Sequence, residues 1–191
     1  AMRWPSRIGT ARVATDFVSL TDLAPTLLDF AGVPIPATMT GKSLTNVLTA
    51  SGSGQIDPTR THVFFGRERH VPGQQCPAAS YPMRGVRTAS ELFIVNDAPS
   101  RWPAGTPVRL DSYSGVAFAD VDASPTKTFM IDNQGNPAVA PWFALAFAPR
   151  PAEELYDLSV DPGQLSDVAA TPSYATLKSQ LAAMLDDERS S

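Results

Sequence analysis

Four ionisable side chains follow two aromatic ones in the stretch HVFFGRERH, residues 62–70. They are Arg67, Glu68, Arg69 and His70. Guanidinium and imidazolium groups bind carboxylates and sulfates through charge-assisted hydrogen bonds, while a carboxylate accepts hydrogen bonds from sugar hydroxyls. Two interpretations are open: the rim of a pocket for an anionic ligand, or a strand that ends in water with its Arg and Glu paired. From the residues alone, the strand end is favoured.

Few residues suit a nucleophile or a metal site. One cysteine excludes an internal disulfide, and two histidines exclude a His-rich metal cage. Cys76 has no neighbouring base in the sequence, which favours an ordinary thiol. The stretch DVDAS, residues 120–124, spaces two carboxylates as a calcium loop does, but such a loop needs glycine where Pro125 stands and glutamate where Ile131 stands. This stretch therefore fails as a calcium loop.

Composition narrows the classes of partner. The 191 residues are 43% hydrophobic, enough for one core, and carry a net charge of -4. Basic residues are scattered along the chain, which argues against nucleic-acid binding. The apolar stretches are shorter than the roughly 20 residues that a membrane helix needs, which argues against a membrane partner.

The hydrophobic pattern predicts a mixture of helices and short strands. A first helix is predicted over residues 21–31, with Thr21 as its N-cap and Gly32 at its end. A shorter helix is predicted in KSLTNVLTA and an amphipathic terminal helix in SYATLKSQLAAMLDDERS. Strands are predicted in THVFFGRE, in ELYDL and in MRGVRTASELFIVND, which turns at residues 88–90.

These elements together predict an α+β fold. A small antiparallel sheet of about four strands packs with the C-terminal amphipathic helix, and a helical N-terminal arm precedes it. The stretch TASGSGQ is a low-complexity linker, so the arm is assigned to residues 1–50 and the strand-rich remainder to residues 56–191.

The first predicted helix carries a broad apolar stripe that the arm has little chain to cover. The stripe consists of Leu20, Leu23, Ala24, Leu27, Leu28 and Ala31. Exposed apolar area of this kind drives association, most simply with a second copy about a two-fold axis. We therefore expect the chain to be the end of something larger, and in isolation to form a homo-oligomer through residues 1–48.

Two motifs near the ends of the chain point to one family. Near the start, RWP is followed by TDFVSLTDLAPTLLDFAGVPIP and GKSL; near the end stands ELYDLSVDPGQLSDVA. With them the chain resembles the C-terminal part of type I sulfatases, the formylglycine-dependent branch of the alkaline-phosphatase-like superfamily. The second motif is similar to their LYDL-x-x-DP-x-E-x-x-N stretch, with Gln164 and Asp167 as departures. Between the ends, GRERH, YPMRGVRT, RWPAG and ASPTKT look most like bacterial heparan N-sulfatases (sulfamidases).

The resemblance implies hydrolysis of sulfuric esters or sulfamates by the complete enzyme. In that family a Cys or Ser in C/S-x-P-x-R becomes formylglycine, whose hydrate attacks sulfur, and calcium polarises the sulfate. CPAAS, residues 76–80, has its proline one position early and Ser80 in place of arginine, and RWPSR has Arg3 at the modifiable position. We therefore expect no catalytic residue, metal site or cofactor in this chain, and calcium and formylglycine in the full-length enzyme.

The resemblance also reverses the preference at residues 67–70, because the loop after this strand faces the active-site mouth in sulfamidase-like enzymes. Arg67, Glu68, Arg69 and His70 are then predicted to bind substrate at the pocket rim. The chain is interpreted as the C-terminal part of a sulfatase, with the missing catalytic domain and a sulfated sugar as partners. The alternative is an autonomous, non-catalytic module that binds anionic sugars or a protein partner.

Overall fold

The computed structural model describes residues 2–9, 11–68, 80–112 and 114–190. Its helices are α1 Leu23–Phe30, α2 Thr45–Thr49, α3 Pro125–Asp132, α4 Ala140–Phe147 and α5 Ala175–Ser190. Its strands are β1 His62–Arg67, β2 Met83–Thr88, β3 Glu91–Asn96 and β4 Glu153–Asp157. The chain divides into two compact units, Ala1–Val63 and Phe64–Ser191. The boundary at residues 51–55 stays a prediction.

The four strands form one sheet in the order β1-β2-β3-β4, which confirms the predicted small sheet and the α+β class. Strands β2 and β3 form the predicted antiparallel hairpin, with Val86 opposite Phe93. At its turn, the Thr88 hydroxyl oxygen accepts a hydrogen bond from the Glu91 amide at 3.0 Å. Strand β4 runs antiparallel to β3 and places Leu155 opposite Phe93 on the other side.

One face of the sheet packs against α5 and makes the main core. Val86, Phe93 and Leu155 are buried on the sheet, and Leu181 and Leu185 are buried on the helix. Burying a leucine side chain stabilises the fold by about 1.5–3 kcal/mol, so the apolar face of α5 accounts for its docking. The predicted terminal helix and its apolar face are confirmed.

On the opposite face, a glycine makes room for an aromatic ring. A Cβ atom built on Gly85 would lie 2.3 Å from Cζ of Phe65, much closer than carbon atoms approach. The glycine in β2 is therefore a packing requirement, because the Phe65 ring crosses the sheet where a side chain would otherwise stand.

Replacing Gly85 with alanine is expected to lower the free energy of unfolding by about 1–3 kcal/mol, because the added methyl group must displace the Phe65 ring. Urea-induced unfolding measures the change. Gly135→Ala is the matched control, since nothing lies within 4 Å of a Cβ atom at that position. Equal stability of the two variants would contradict the close packing of Phe65 on β2.

A second, smaller core lies between the hairpin and β4 in the sequence. It is built on Ala104, Phe118 and Phe147, and Phe143 of α4 packs edge to face against Phe118 with ring centroids 5.8 Å apart. Lys127 of α3 is buried beside it and donates hydrogen bonds from Nζ to the carbonyl oxygens of Phe118 and Val121, at 2.8 and 2.7 Å. Burial lowers the pKa of Lys127, and the charge of Asp122 opposes that shift.

The unit Ala1–Val63 contains α1 and α2. A 3₁₀ turn, Leu20–Asp22, precedes α1 and begins with a capping box: the Ser19 hydroxyl oxygen accepts from the Thr21 amide, and the Ser19 amide donates to the Asp22 carboxylate. The predicted N-cap at Thr21 is wrong, since Thr21 lies inside this turn and Asp22 holds the N-cap position of α1. Gly32, at a φ of 69°, follows the end of α1 as predicted.

The apolar stripe of α1 is exposed in this unit. Leu20 is 85% exposed and Leu27 is 62% exposed, whereas α1 buries Pro25 and Thr26 instead. The Thr26 hydroxyl group donates to the Asp22 carbonyl oxygen at 2.5 Å and accepts from the Leu44 amide at 2.9 Å. The helix is therefore anchored through a small polar residue, while Leu27 faces outwards and Leu28 is partly buried. In the described part of the chain, no helix combines the length and apolarity needed to cross a membrane.

Candidate functional site

A cavity of about 490 Å³ lies on the sheet face opposite α5. Because side chains alternate along a strand, this face carries the residues that the main core does not use. Met83 is opposite Asn96, and Ile94 is opposite Glu154, so β2, β3 and β4 each contribute to the cavity. The polar lining includes Arg67, Tyr81, Asn96, Arg150, Glu154 and Tyr156.

Glu154 is a buried carboxylate on the cavity wall, 5% exposed. Its Oε1 atom accepts a hydrogen bond from the Asn96 side-chain amide at 2.8 Å, and its Oε2 atom accepts one from the Tyr156 hydroxyl group at 2.6 Å. Burial, and next the hydrogen bond to Glu154, raise the pKa of Tyr156 well above its ordinary value. Both oxygens of Glu154 are thus engaged, which holds the carboxylate in one position.

Tyr81 is the cavity residue with an unmet hydrogen-bonding requirement. It is 2% exposed, and its buried hydroxyl group has no hydrogen-bond partner among the described residues. Burial, followed by the negative charge of Glu154, raises the pKa of Tyr81 to about 12. At neutral pH the group is therefore a protonated phenol, able to donate a hydrogen bond to whatever enters the cavity.

Two arginines give the cavity its charge. The Arg67 guanidinium lies over the Tyr81 ring, with Cζ 5.5 Å from the ring centroid, and donates from Nη2 to the Pro103 carbonyl oxygen at 2.9 Å. Arg150 donates from Nη2 to the Leu145 carbonyl oxygen. Each guanidinium has five N–H donors, so these contacts orient the groups and leave donors for a ligand. Two guanidinium groups against the carboxylate of Glu154 leave the wall positively charged.

The structure describes two of the four residues that were predicted to form one rim, and these two make different contacts. Arg67 lines the cavity, whereas Glu68 pairs with Arg84 and its side chain is 59% exposed. The Glu68 carbonyl oxygen accepts a hydrogen bond from the Tyr81 amide at 2.9 Å, which joins the residue after β1 to the segment just before β2. Arg69 and His70 lie outside the described residues.

The sequence alone did not indicate Tyr81, Arg150 or Glu154 as candidate site residues. A usable signal was present in the predicted strand ELYDL, where Glu154 and Tyr156 alternate with Leu155 and must share the face opposite the core. No comparable signal marks Arg150, because it stands between two prolines in a segment outside the helices and strands.

A metal site would need several ligand side chains from the described residues to lie close together. Among them, no group of three or more His, Cys, Asp or Glu side chains comes together as a ligand set.

Comparison with known proteins shows which protein family this chain resembles. The family described as N-sulphoglucosamine sulphohydrolase, C-terminal, matches residues 1–88. Human N-sulphoglucosamine sulphohydrolase is 30% identical over 195 residues, a match that covers 96% of this chain and 33% of the human protein. The chain matches the C-terminal region of sulfatases. The resemblance drawn from the two end motifs is confirmed.

Two further relatives extend the comparison of this sulfatase C-terminal region. An ulvan-active sulfatase from Formosa agariphila is 23% identical over 182 residues, covering 94% of this chain and 30% of that protein. The solved structure of yidJ from Bacteroides fragilis, described as a sulfatase, has the same fold: it gives a TM-score of 0.52 at 16% identity, over 95% of this chain and 27% of that one. The chain thus spans about a third of the length of the curated relatives.

One of the two departures from the sulfatase motif near the end of the chain, Asp167, has a structural explanation. Asp167 stands where the family pattern has asparagine, and its Oδ1 atom accepts hydrogen bonds from the amides of Leu155 and Ala169, both at 2.9 Å. An asparagine oxygen serves the same purpose, so the exchange retains the contact. Gln164, in place of glutamate, lines the cavity with a φ of 56°, a conformation that non-glycine residues rarely adopt.

Proposed function

We propose that this chain is the substrate-binding C-terminal region of a sulfatase that hydrolyses an N-sulfated amino sugar. The observation that carries the proposal is the 30% identity to human N-sulphoglucosamine sulphohydrolase over 96% of this chain. A positively charged cavity with a buried polar wall supports a role in binding an anionic sugar. The nucleophile and the calcium ligands would come from the catalytic part of the longer protein.

Arg67 is proposed as the principal substrate contact at the cavity rim. Its guanidinium is held by the Pro103 carbonyl oxygen and the Tyr81 ring, so little side-chain freedom is lost when a sulfate binds. Glu68, Arg69 and His70 are proposed to extend the rim beyond the cavity. The Glu68 carboxylate is paired with Arg84, so its proposed role is to accept hydrogen bonds from sugar hydroxyls with its remaining lone pairs.

The exposed stripe of α1 supports a partner for the unit Ala1–Val63. In the longer protein, the proposed partner is the catalytic domain, which would cover the leucines. In the isolated chain, the proposed partner is a second copy, because leucines that stay in water favour any association that removes them from it.

The test of the proposed function is sulfate release from glucosamine N-sulfate by the protein encoded by the complete reading frame. We expect turnover by that protein and none by the 191-residue chain, because the chain covers only 33% of the length of the human sulphohydrolase. A complete protein that releases sulfate from no sulfated sugar would overturn the proposal and favour a binding module. Turnover by the 191-residue chain alone, lost in Cys76→Ala, would also contradict it.

A further inference from the structure

A buried phenol without a partner is the least explained group in the described part of the chain. Leaving a buried hydroxyl group without a hydrogen bond is costly, so such groups are rare unless water or a ligand completes them. The Tyr81 hydroxyl group is in this position, and Tyr81 lines a cavity that two arginines also line. A ligand with acceptor oxygens and negative charge satisfies all three residues together.

We propose that Arg67, Tyr81 and Arg150 form an oxyanion subsite, which binds a sulfate or carboxylate group carried by a sugar. That the oxyanion is part of a sugar rests on the proposed function, whereas binding of the oxyanion rests on the cavity itself. All three residues belong to the unit Phe64–Ser191, so the subsite is complete within this chain.

The donors converge on one type of ligand. The two guanidinium groups supply charge-assisted N–H donors, and the phenol supplies a neutral O–H donor. Asn96 and Tyr156 already donate to the two oxygens of Glu154, so this carboxylate depends less on the donors of the three residues. The fixed carboxylate would repel a dianion more than a singly charged group, which favours a sulfate monoester, a sulfamate or a carboxylate over a phosphate monoester.

The size of the cavity also fits a sugar. Its volume of about 490 Å³ lies within the range of pockets that take small organic ligands. Phe65, Met83 and Ile94 provide apolar surface beside the polar wall, and Phe65 is 37% exposed at the edge. An aromatic ring at that position can stack on the apolar face of a sugar while its charged substituent reaches the arginines.

The experiment is a titration of the ¹⁵N-labelled 191-residue chain, followed by NMR, with four separate probes: glucosamine N-sulfate, glucuronate, glucosamine and inorganic sulfate. We expect shifts of the amides around the cavity with at least one of the two anionic sugars and none with glucosamine. Binding of only the sulfated sugar assigns the subsite to sulfate, and binding of only glucuronate assigns it to carboxylate. Inorganic sulfate is expected to bind more weakly than the anionic sugar.

Two conservative variants test the residues. Tyr81→Phe and Arg150→Gln should each weaken binding of the anionic sugar by about tenfold, the effect of losing one hydrogen bond to a charged group. Tyr81→Phe should leave the melting temperature unchanged or higher, because it removes an unsatisfied buried hydroxyl group. The control Tyr174→Phe loses the hydrogen bond to Asp157 at 2.8 Å, so it should lower the melting temperature and leave binding unchanged.

No binding of either anionic sugar to the folded chain would overturn the subsite, as would unchanged affinity in both Tyr81→Phe and Arg150→Gln. These outcomes are separable from failure of the proposed function. If the cavity binds oxyanions and the complete protein hydrolyses no sulfated sugar, the subsite stands and the sulfatase assignment falls. If the complete protein releases sulfate and the variants bind as the wild type does, the reverse holds.

Discussion

Asp22→Ala is expected to destabilise the unit Ala1–Val63 by about 2–4 kcal/mol, because two backbone amides and the buried Arg60 guanidinium lose their acceptor together. Asp57, at 3.7 Å, remains as the second carboxylate near Arg60. The Asp22 carboxylate is 5% exposed. It accepts hydrogen bonds from the Lys42 amide at 2.8 Å, the Ser19 amide at 3.0 Å and the Arg60 guanidinium at 2.8 Å. One side chain thus joins the start of α1, the segment before α2 and Arg60, and the three contacts are lost together.

Urea-induced unfolding, followed by NMR signals of residues 11–63, measures the loss. Asp29→Asn is the matched control on the same helix, since Asp29 is exposed and accepts a hydrogen bond from Ser43 at 2.6 Å. We expect the control to cost no more than about 1 kcal/mol. Similar losses in the two variants would contradict the role assigned to the buried ion pair.

The same carboxylate predicts a pH dependence with a definite sign. Burial alone would raise the pKa of Asp22, but the hydrogen bonds from Lys42, Ser19 and Arg60 outweigh it and hold the pKa below the ordinary value of 3.8. A lowered pKa in the folded state stabilises the fold above the unfolded-state pKa, and this stabilisation is lost as the pH falls through the folded-state pKa. In Asp22→Ala, the acid-induced loss of stability should therefore be smaller than in the wild type.

Leu23→Glu/Leu27→Glu is expected to abolish self-association of the isolated chain. Leu23 is 36% exposed and Leu27 is 62% exposed on the stripe of α1. A buried leucine contributes about 1.5–3 kcal/mol, so two leucines on each of two copies should raise the dimer dissociation constant by more than about 100-fold. Light scattering across a concentration series measures this constant.

Val160→Glu/Leu165→Glu is the control for the association, since both residues are exposed at 76% and 55% but lie outside α1. The control chain should associate as the wild type does. A wild-type chain that is monomeric at all concentrations would show that the stripe drives no association. In the complete protein, the same leucines should be protected by the catalytic domain, and the double substitution should instead lower its stability.

Much of the fold is readable from the sequence because the local pattern agrees with the tertiary environment. ELFIVND and ELYDL contain the aromatic and β-branched residues that are typical of strands, and Leu181 and Leu185 mark the buried face of α5. The helix α4, in contrast, has apolar residues on every side, so APWFALAF shows no helical period. Its assignment depends on Phe143 and Phe147 packing near Phe118, which is a tertiary contact.

The candidate site was harder to predict than the fold, because it also depends on tertiary contacts. Arg67 stood out because of its charged neighbours, but the cavity depends on Tyr81, Arg150 and Glu154, which only the order of the strands brings together. The burial of Lys127 was equally hidden, since its stabilisation comes from two carbonyl oxygens that turns in the chain aim at its ammonium group. Sequence patterns identify faces, whereas convergence of distant residues follows from topology.

The most direct test of the account is the ratio of kcat/KM for glucosamine N-sulfate to kcat/KM for a small aryl sulfate, measured on the complete protein with Arg67→Ala. An aryl sulfate has no sugar to bind, so the account predicts that the substitution lowers the ratio by about 10- to 100-fold and leaves turnover of the aryl sulfate intact. The exposed Arg109 serves as control, and Arg109→Ala should leave the ratio unchanged. An equal loss of activity on both substrates, or an unchanged ratio in Arg67→Ala, would contradict the account.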